Sequence, residues 1–183
     1  MATMEPNSVL VIGVNACATA VLVTAGVTKL VSPDQLRLAL ADVLGDLGRW
    51  VTKSRLKVFA VIEMIAGVSL SVPVIQLPGA WAVGVLGVCF AIAGVLGLLR
   101  RSTTACGCFG RSAGRPLGLV NVLVGAAFLA VLVVNHAATA GEAGPYFYGS
   151  AVGASLATVL LTLWAHRQLI KEFTRPREAS SPR

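Results

Sequence analysis

The chain has 183 residues, of which 56% are hydrophobic and 13% charged, and it carries a formal net charge of +7. Soluble domains average about 45–50% apolar and about 25% charged residues, and here the apolar residues run in long blocks, which excludes an ordinary soluble core. A helix needs roughly 20 apolar residues to cross a bilayer while satisfying its own backbone, so a membrane bundle takes up most of the chain, and the basic excess reads as membrane topology and not as a nucleic-acid surface.

The first apolar block spans residues 9–31, broken only by Asn15 and a few hydroxyl residues. A secretory signal has basic residues ahead of a short apolar core. Residues 1–8 contain no Lys or Arg and the block is long, so it reads as a helix retained in the membrane. Ser32-Pro33-Asp34-Gln35 then marks a helix start, with Ser at the N-cap and Pro at the first helical position. Leu36, Leu40, Val43, Leu44 and Leu47 share one face of residues 33–49, and Asp34, Arg37, Asp42, Asp46 and Arg49 share the other. That pattern predicts an amphipathic helix lying in the interface and anchored by Trp50, the alternative being a plain surface loop.

The second block, residues 56–75, carries Glu63 inside it. Pro73, Pro78 and Gly79 predict a tight turn into a third block, residues 80–99. Its Gly84, Gly87, Ala91 and Gly94 form a small-residue stripe that lets another helix approach closely. A polar connection leads to a fourth block, residues 117–135, and a second polar connection to a fifth, residues 146–170. Residues 171–183 are charged and rich in Pro and Ser, the composition of a disordered tail. The fold class is therefore all-α: a polytopic bundle over residues 1–170 with a basic tail.

Alternating the connections places the N-terminus, the turn near Gln76 and residues 136–145 on one side, without any Lys or Arg. The other side receives Lys29, Arg37, Arg49, Lys53, Arg55 and Lys57, then Arg100, Arg101, Arg111 and Arg115, then Arg167, Lys171, Arg175, Arg177 and Arg183. These are all 15 basic residues of the chain. The positive-inside rule then predicts a cell-membrane protein with its N-terminus outside and its C-terminus in the cytoplasm.

Four cysteines occur, and two stand in Cys106-Gly107-Cys108-Phe109-Gly110 between the third and fourth blocks. Two cysteines one residue apart can close a small ring, and Gly107 removes the side-chain penalty at the bend. Arg101, Arg111 and Arg115 favour the thiolate, the form that attacks disulfides and binds metals. The pair is a candidate redox dithiol, or a two-thiolate site for a soft ion such as Cu(I) with Met64 as a remote helper, against a reading as two ordinary loop cysteines. Cys17 and Cys89 read as small apolar side chains, although contact between the first and third blocks would bring them together as a second thiol station.

Glu63 lies one to two turns from the basic side of its block, where a carboxylate needs an interior partner. Lys29 has the matching depth. The pair reads as an ion pair fixing two helices, or as a proton carrier beside a quinone or thiol. Asn121, below the cysteine loop, could donate to a thiolate or a quinone oxygen, or bridge helices. His136 and His166 read as interfacial histidines, and Trp50, Trp81, Trp164, Tyr146 and Tyr148 as an aromatic belt.

Three segments resemble the MauE/DoxX-like group of membrane proteins, named for methylamine-utilisation protein MauE: Ala25-Gly26-Val27-Thr28-Lys29-Leu30 followed by Ser32-Pro33, then Ile62-Glu63-Met64-Ile65-Ala66-Gly67, then Cys106-Gly107-Cys108-Phe109-Gly110. The resemblance implies a four-helix core, here with a fifth transmembrane helix added, and a redox-associated role. MauE-type proteins are linked to maturation of a disulfide-rich amine dehydrogenase beside a thioredoxin-like partner, and DoxX-type relatives to sulfur oxidation and quinone reduction. The expected partners are membrane lipid and a thioredoxin-like or membrane-complex protein, with a quinone as the cofactor implied. The expected role is thiol–disulfide or quinone-linked redox, with Cys106 and Cys108 reacting and Gly107, Phe109, Gly110, Lys29, Glu63 and Asn121 supporting them. The alternatives are copper handling and a non-catalytic assembly subunit using the small-residue stripe and the interfacial helix.

Overall fold

The computed structural model describes residues 6–104, 106, 116–138, 152, 153, 155–157, 159 and 160. Along residues 6–138 the α-helices follow in order: α1 (Pro6–Val31), α2 (Pro33–Leu44), α3 (Lys53–Ser69), α4 (Gln76–Leu99) and α5 (Leu119–Ala138). Two hydroxyls inside α1 bond preceding carbonyls, Thr24 to Ala20 at 2.7 Å and Thr28 to Ala25 at 2.9 Å, so both sit in an apolar helix without an unmet bond. α1 stops at Val31 because Pro33 disfavours the helical conformation at Ser32. Pro33 then opens α2 as expected, but Ser32 makes no side-chain capping bond.

α2 is shorter than the predicted residues 33–49. Gly45 takes φ 58, a positive-φ backbone that glycine adopts at little cost, which ends the α-helix, and the chain continues as a 3-10 turn over Gly45–Trp50. Thr52 caps α3 by accepting the Arg55 N–H at 3.3 Å. The tight turn expected at Pro73, Pro78 and Gly79 is smaller than that. Pro73 lies in a short 3-10 segment, while Pro78 and Gly79 lie in the first turn of α4, where a missing N–H removes no helical bond.

Among the described residues, three helices are long and apolar enough to cross a membrane: Val9–Val31, Gln76–Leu99 and Leu119–Ala137. The 17-residue α3 falls below the usual spanning length and carries Glu63. The described residues within block five, 152, 153, 155–157, 159 and 160, are helical; the rest of that block and residues 171–183 lie outside the described residues.

α1 packs on α3, and α4 on α5. A Cβ on Gly26 would lie 2.5 Å from Met64 Cγ and 2.9 Å from the Ala60 carbonyl, so only glycine allows α1 and α3 to approach this closely. Across the other pair, Gly87 and Gly125 each face the other's carbonyl oxygen, and Gly94 faces the backbone of Gly118 and Val122. The stripe seen in the sequence is thus filled by the chain's own α5, which leaves it unavailable as a docking surface. Leu22, Leu70, Val83, Phe90 and Phe128 form the core between the two pairs, with Phe90 and Phe128 edge to face at 5.9 Å. The outer faces carry Val58, Ile62 and Ile65 of α3, Val85 and Ile92 of α4, and Leu123 and Val133 of α5, all exposed. An apolar exterior of this kind suits a lipid surround.

Candidate functional site

Two polar centres lie at opposite ends of the bundle. At one end the start of α3, the finish of α4 and the approach to α5 converge beneath α2. Leu36, Ala39 and Val43 of α2 cluster there with Leu56, Cys106 and Leu117. Cys106 is 4% exposed and disulfide-bonded. Gly107, Cys108, Phe109 and Gly110 lie outside the described residues. Cys17 and Cys89 are free and exposed, and no disulfide joins them.

The chain reaches this site through a sharp exit from α4. Arg101 adopts φ 49, a left-handed conformation that an L-residue seldom takes. It is held there by bonds from Arg101 N to Leu98 O and from Ser102 N to Gly97 O, the paired pattern that closes a helix end. The exit aims Ser102 and Thr104 at α2, where both hydroxyls donate to Asp42 Oδ2, at 2.7 and 3.0 Å. Near the start of α2, Asp34 pairs with Lys53 of α3 at 2.8 Å, both side chains more than half exposed.

The bonds from Ser102 and Thr104 hold the exposed Asp42 carboxyl below its ordinary range. A carboxyl whose pKa is lower when α2 is attached favours attachment above the free value of about 4. That contribution is lost as pH falls through the lowered value. Hydrogen exchange in α2, corrected for its intrinsic rate, should therefore rise between pH 6 and pH 3 in the native protein. Asp42→Ala should show raised exchange already at pH 6 and a smaller further change.

Deeper in the bundle Lys29 Nζ donates to both oxygens of Glu63, at 2.8 and 2.6 Å. The side chains are 2% and 0% exposed. Phe90 and Phe59 face the ammonium with ring centroids at 5.1 and 5.8 Å, which adds cation–π attraction in a dry site. The structure thus joins Lys29 and Glu63 as the sequence predicts, and it places both next to the close approach of Gly26 to Met64. The first two sequence segments singled out above are the two sides of this single α1–α3 contact. Asn121 is buried near the start of α5, and its Oδ1 accepts the Gly118 N–H at 3.5 Å, a local bond within the same chain segment.

The opposite end holds a polar cluster that sequence reasoning missed. Asn15 and Asn135 bond reciprocally, Nδ2 to Oδ1, at 3.0 and 2.7 Å, and Gln76 Nε2 donates to Asn135 Oδ1 at 2.7 Å. Thr19 donates to the Gly67 carbonyl, and Ser71 bonds Ser155 at 2.7 Å. The available signal was Asn15 and Asn135 standing inside otherwise apolar blocks, where each needs a partner. Ser155 belongs to block five, so this cluster also attaches that block to the bundle.

Trp50 and Trp81 are exposed, and Arg55 stacks on Trp50 at 5.6 Å while donating to its carbonyl. His136 is exposed at the end of α5; His166, Trp164, Tyr146 and Tyr148 lie outside the described residues. Among the described residues no group of three or more His, Cys, Asp or Glu stands together as a metal site.

No curated protein and no solved structure matches the chain. The family described as methylamine utilisation protein MauE matches it over residues 7–139. That interval runs from the first turn of α1 to the end of α5 and takes in the Lys29–Glu63 pair, the disulfide-bonded Cys106 and the Asn15–Asn135 bridge. The chain is an integral membrane protein that belongs to the MauE family.

Proposed function

We propose that this chain is a thiol–disulfide or quinone-linked redox protein in which Cys106 and Cys108 cycle between disulfide and dithiol. The observation that carries this reading is the disulfide-bonded state of Cys106 at the basic end of the bundle. Methylamine utilisation, the role in the family's description, offers a setting in which a membrane protein would handle disulfides.

In the exchange step a thiolate of a thioredoxin-like protein attacks one sulfur of the pair. The intramolecular S–S bond breaks as the mixed disulfide forms, and the electron pair leaves on the other sulfur, which takes a proton from water. The partner's second thiol, giving up its proton to water, then attacks the mixed disulfide. The partner leaves oxidised and this chain holds the dithiol. Reoxidation needs a two-electron acceptor such as a quinone, which would take both electrons and two protons. Arg101, Arg111 and Arg115 favour the thiolate, and Lys29 and Glu63 provide a proton-exchanging pair within the bundle.

The one-sided distribution of basic residues supports a topology with this end in the cytoplasm and the N-terminus outside. A reducing compartment keeps thiols reduced unless something oxidises them, so the direction of flow under this topology is from a cytoplasmic dithiol towards the membrane. Thiol trapping followed by electrophoresis should show a redox-dependent mobility shift in the native protein. The Cys106→Ser/Cys108→Ser variant should lose it completely, and an unchanged shift would remove the pair from the mechanism. Stoichiometric copper that disappears in the same variant would favour soft-metal handling instead.

A further inference from the structure

An attacking thiolate must approach a disulfide along the S–S axis, so the cover over each sulfur decides where exchange can begin. Cys106 is 4% exposed, and α2 supplies Leu36, Ala39 and Val43 to the cluster that encloses it. Beyond this apolar packing, the polar attachments of α2 are all solvent-exposed: the Asp42 bonds to Ser102 and Thr104 and the Asp34–Lys53 pair. Ser32 makes no side-chain cap at the start of α2, and at its other end Gly45 turns the chain into a 3-10 segment, so α2 is bounded by a bend on each side.

We infer that α2 is a hinged lid over Cys106, latched by Asp42 to Ser102 and Thr104, and that a protein dithiol exchanges with Cys106 only while the lid is open. This deepens the redox reading proposed above and rests on it for the identity of the partner. Ser102 and Thr104 lie on the same segment as Cys106, so the latch fastens the lid directly to the chain that carries the sulfur. Opening requires no change in the α1–α3 or α4–α5 contacts, because α2 is joined to α1 through Ser32-Pro33 and to α3 through the 3-10 turn. A lid of this kind keeps the sulfur from small oxidants and stray thiols. It yields to a partner that stays bound long enough to meet the open state.

The test measures access and not turnover. In purified protein carrying Cys17→Ala, Cys89→Ala and Cys108→Ser, Cys106 is the single thiol, and its reaction with a maleimide can be timed. With the latch intact the rate should be at least about 100-fold below that of the same protein unfolded in detergent, as for a group reached only by local opening. Asp42→Ala, and separately Ser102→Ala/Thr104→Val, should each raise the native rate about three- to tenfold, the range for weak solvent-exposed bonds. All three substitutions together should add nothing further, since either set removes the same two bonds.

A native rate within about twofold of the unfolded rate would overturn the lid. So would latch variants that react no faster than their parent. If the alanine variants fail to fold, Asp42→Asn keeps the shape and removes the charge, and it should still raise the rate about two- to threefold; an unchanged rate there overturns the latch. Failure of the redox reading looks different, as a native protein without a redox-dependent mobility shift whose Cys106 is nonetheless slow and latch-dependent.

Discussion

Replacing Lys29 by Met, or Glu63 by Leu, should cost about 3–5 kcal/mol of stability, because either change strands one charge inside the bundle. The pair is fully enclosed, bidentate at 2.6 and 2.8 Å, and flanked by Phe59 and Phe90, so water cannot reach the survivor without opening the α1–α3 contact. Losses of this size would appear as poor expression and a lowered unfolding temperature in detergent. Lys29→Met/Glu63→Leu should recover most of the loss, since replacing a buried pair by apolar residues of similar volume is often neutral or stabilising. The double variant also separates architecture from chemistry. If it is stable and its disulfide still exchanges at the native rate, the pair serves architecture alone. If it is stable and exchanges slowly, with an altered pH profile, the pair moves protons.

Gly125→Val should be comparably damaging at the other helix pair. A Cβ at position 125 would lie 2.5 Å from the Gly87 carbonyl oxygen and 2.7 Å from the Ala91 backbone nitrogen. Both obstacles are backbone atoms, so relief comes only by separating α4 from α5, which disturbs Phe90, Phe128 and the rest of the shared core. Overpacking typically costs about 1–3 kcal/mol, and a clash with backbone belongs at or beyond the upper end of that range. Gly118→Ala is the matching control. Its nearest neighbour would be Leu98 Cδ2 at 3.4 Å, the end of a flexible side chain, and the unfolding temperature should hardly move.

These expectations show which parts of the molecule the sequence announces. Membrane class and the α4–α5 stripe follow from apolar blocks and from glycines at helical spacing, both local patterns. The Lys29–Glu63 pair was legible because charge inside an apolar block is costly and only one basic residue had the right depth. The Asn15–Asn135–Gln76 cluster stayed hidden in the sequence, since an isolated amide carries no charge sign and so does not point to its partner. The role of α2 was half legible. Its amphipathic face was evident, but its apolar side covers Cys106 as part of the bundle, because Asp42 meets hydroxyls 60 and 62 residues away. Helix ends were displaced where proline or glycine acted locally: Pro78 sits inside the first turn of α4, and Gly45 shortens α2.

The bundle's ends are chemically distinct. The described basic residues lie at the end that holds Cys106 and α2, and the uncharged amide and hydroxyl cluster lies at the other. Whether that basic end faces the cytoplasm is decided most directly by labelling Cys106 and Cys108 with an impermeant maleimide after gentle reduction. Right-side-out and inverted membrane vesicles should be compared, each with and without prior reduction. Modification confined to inverted vesicles, and only after reduction, is the predicted result. Modification in right-side-out vesicles would contradict it and assign the disulfide to the opposite, oxidising side.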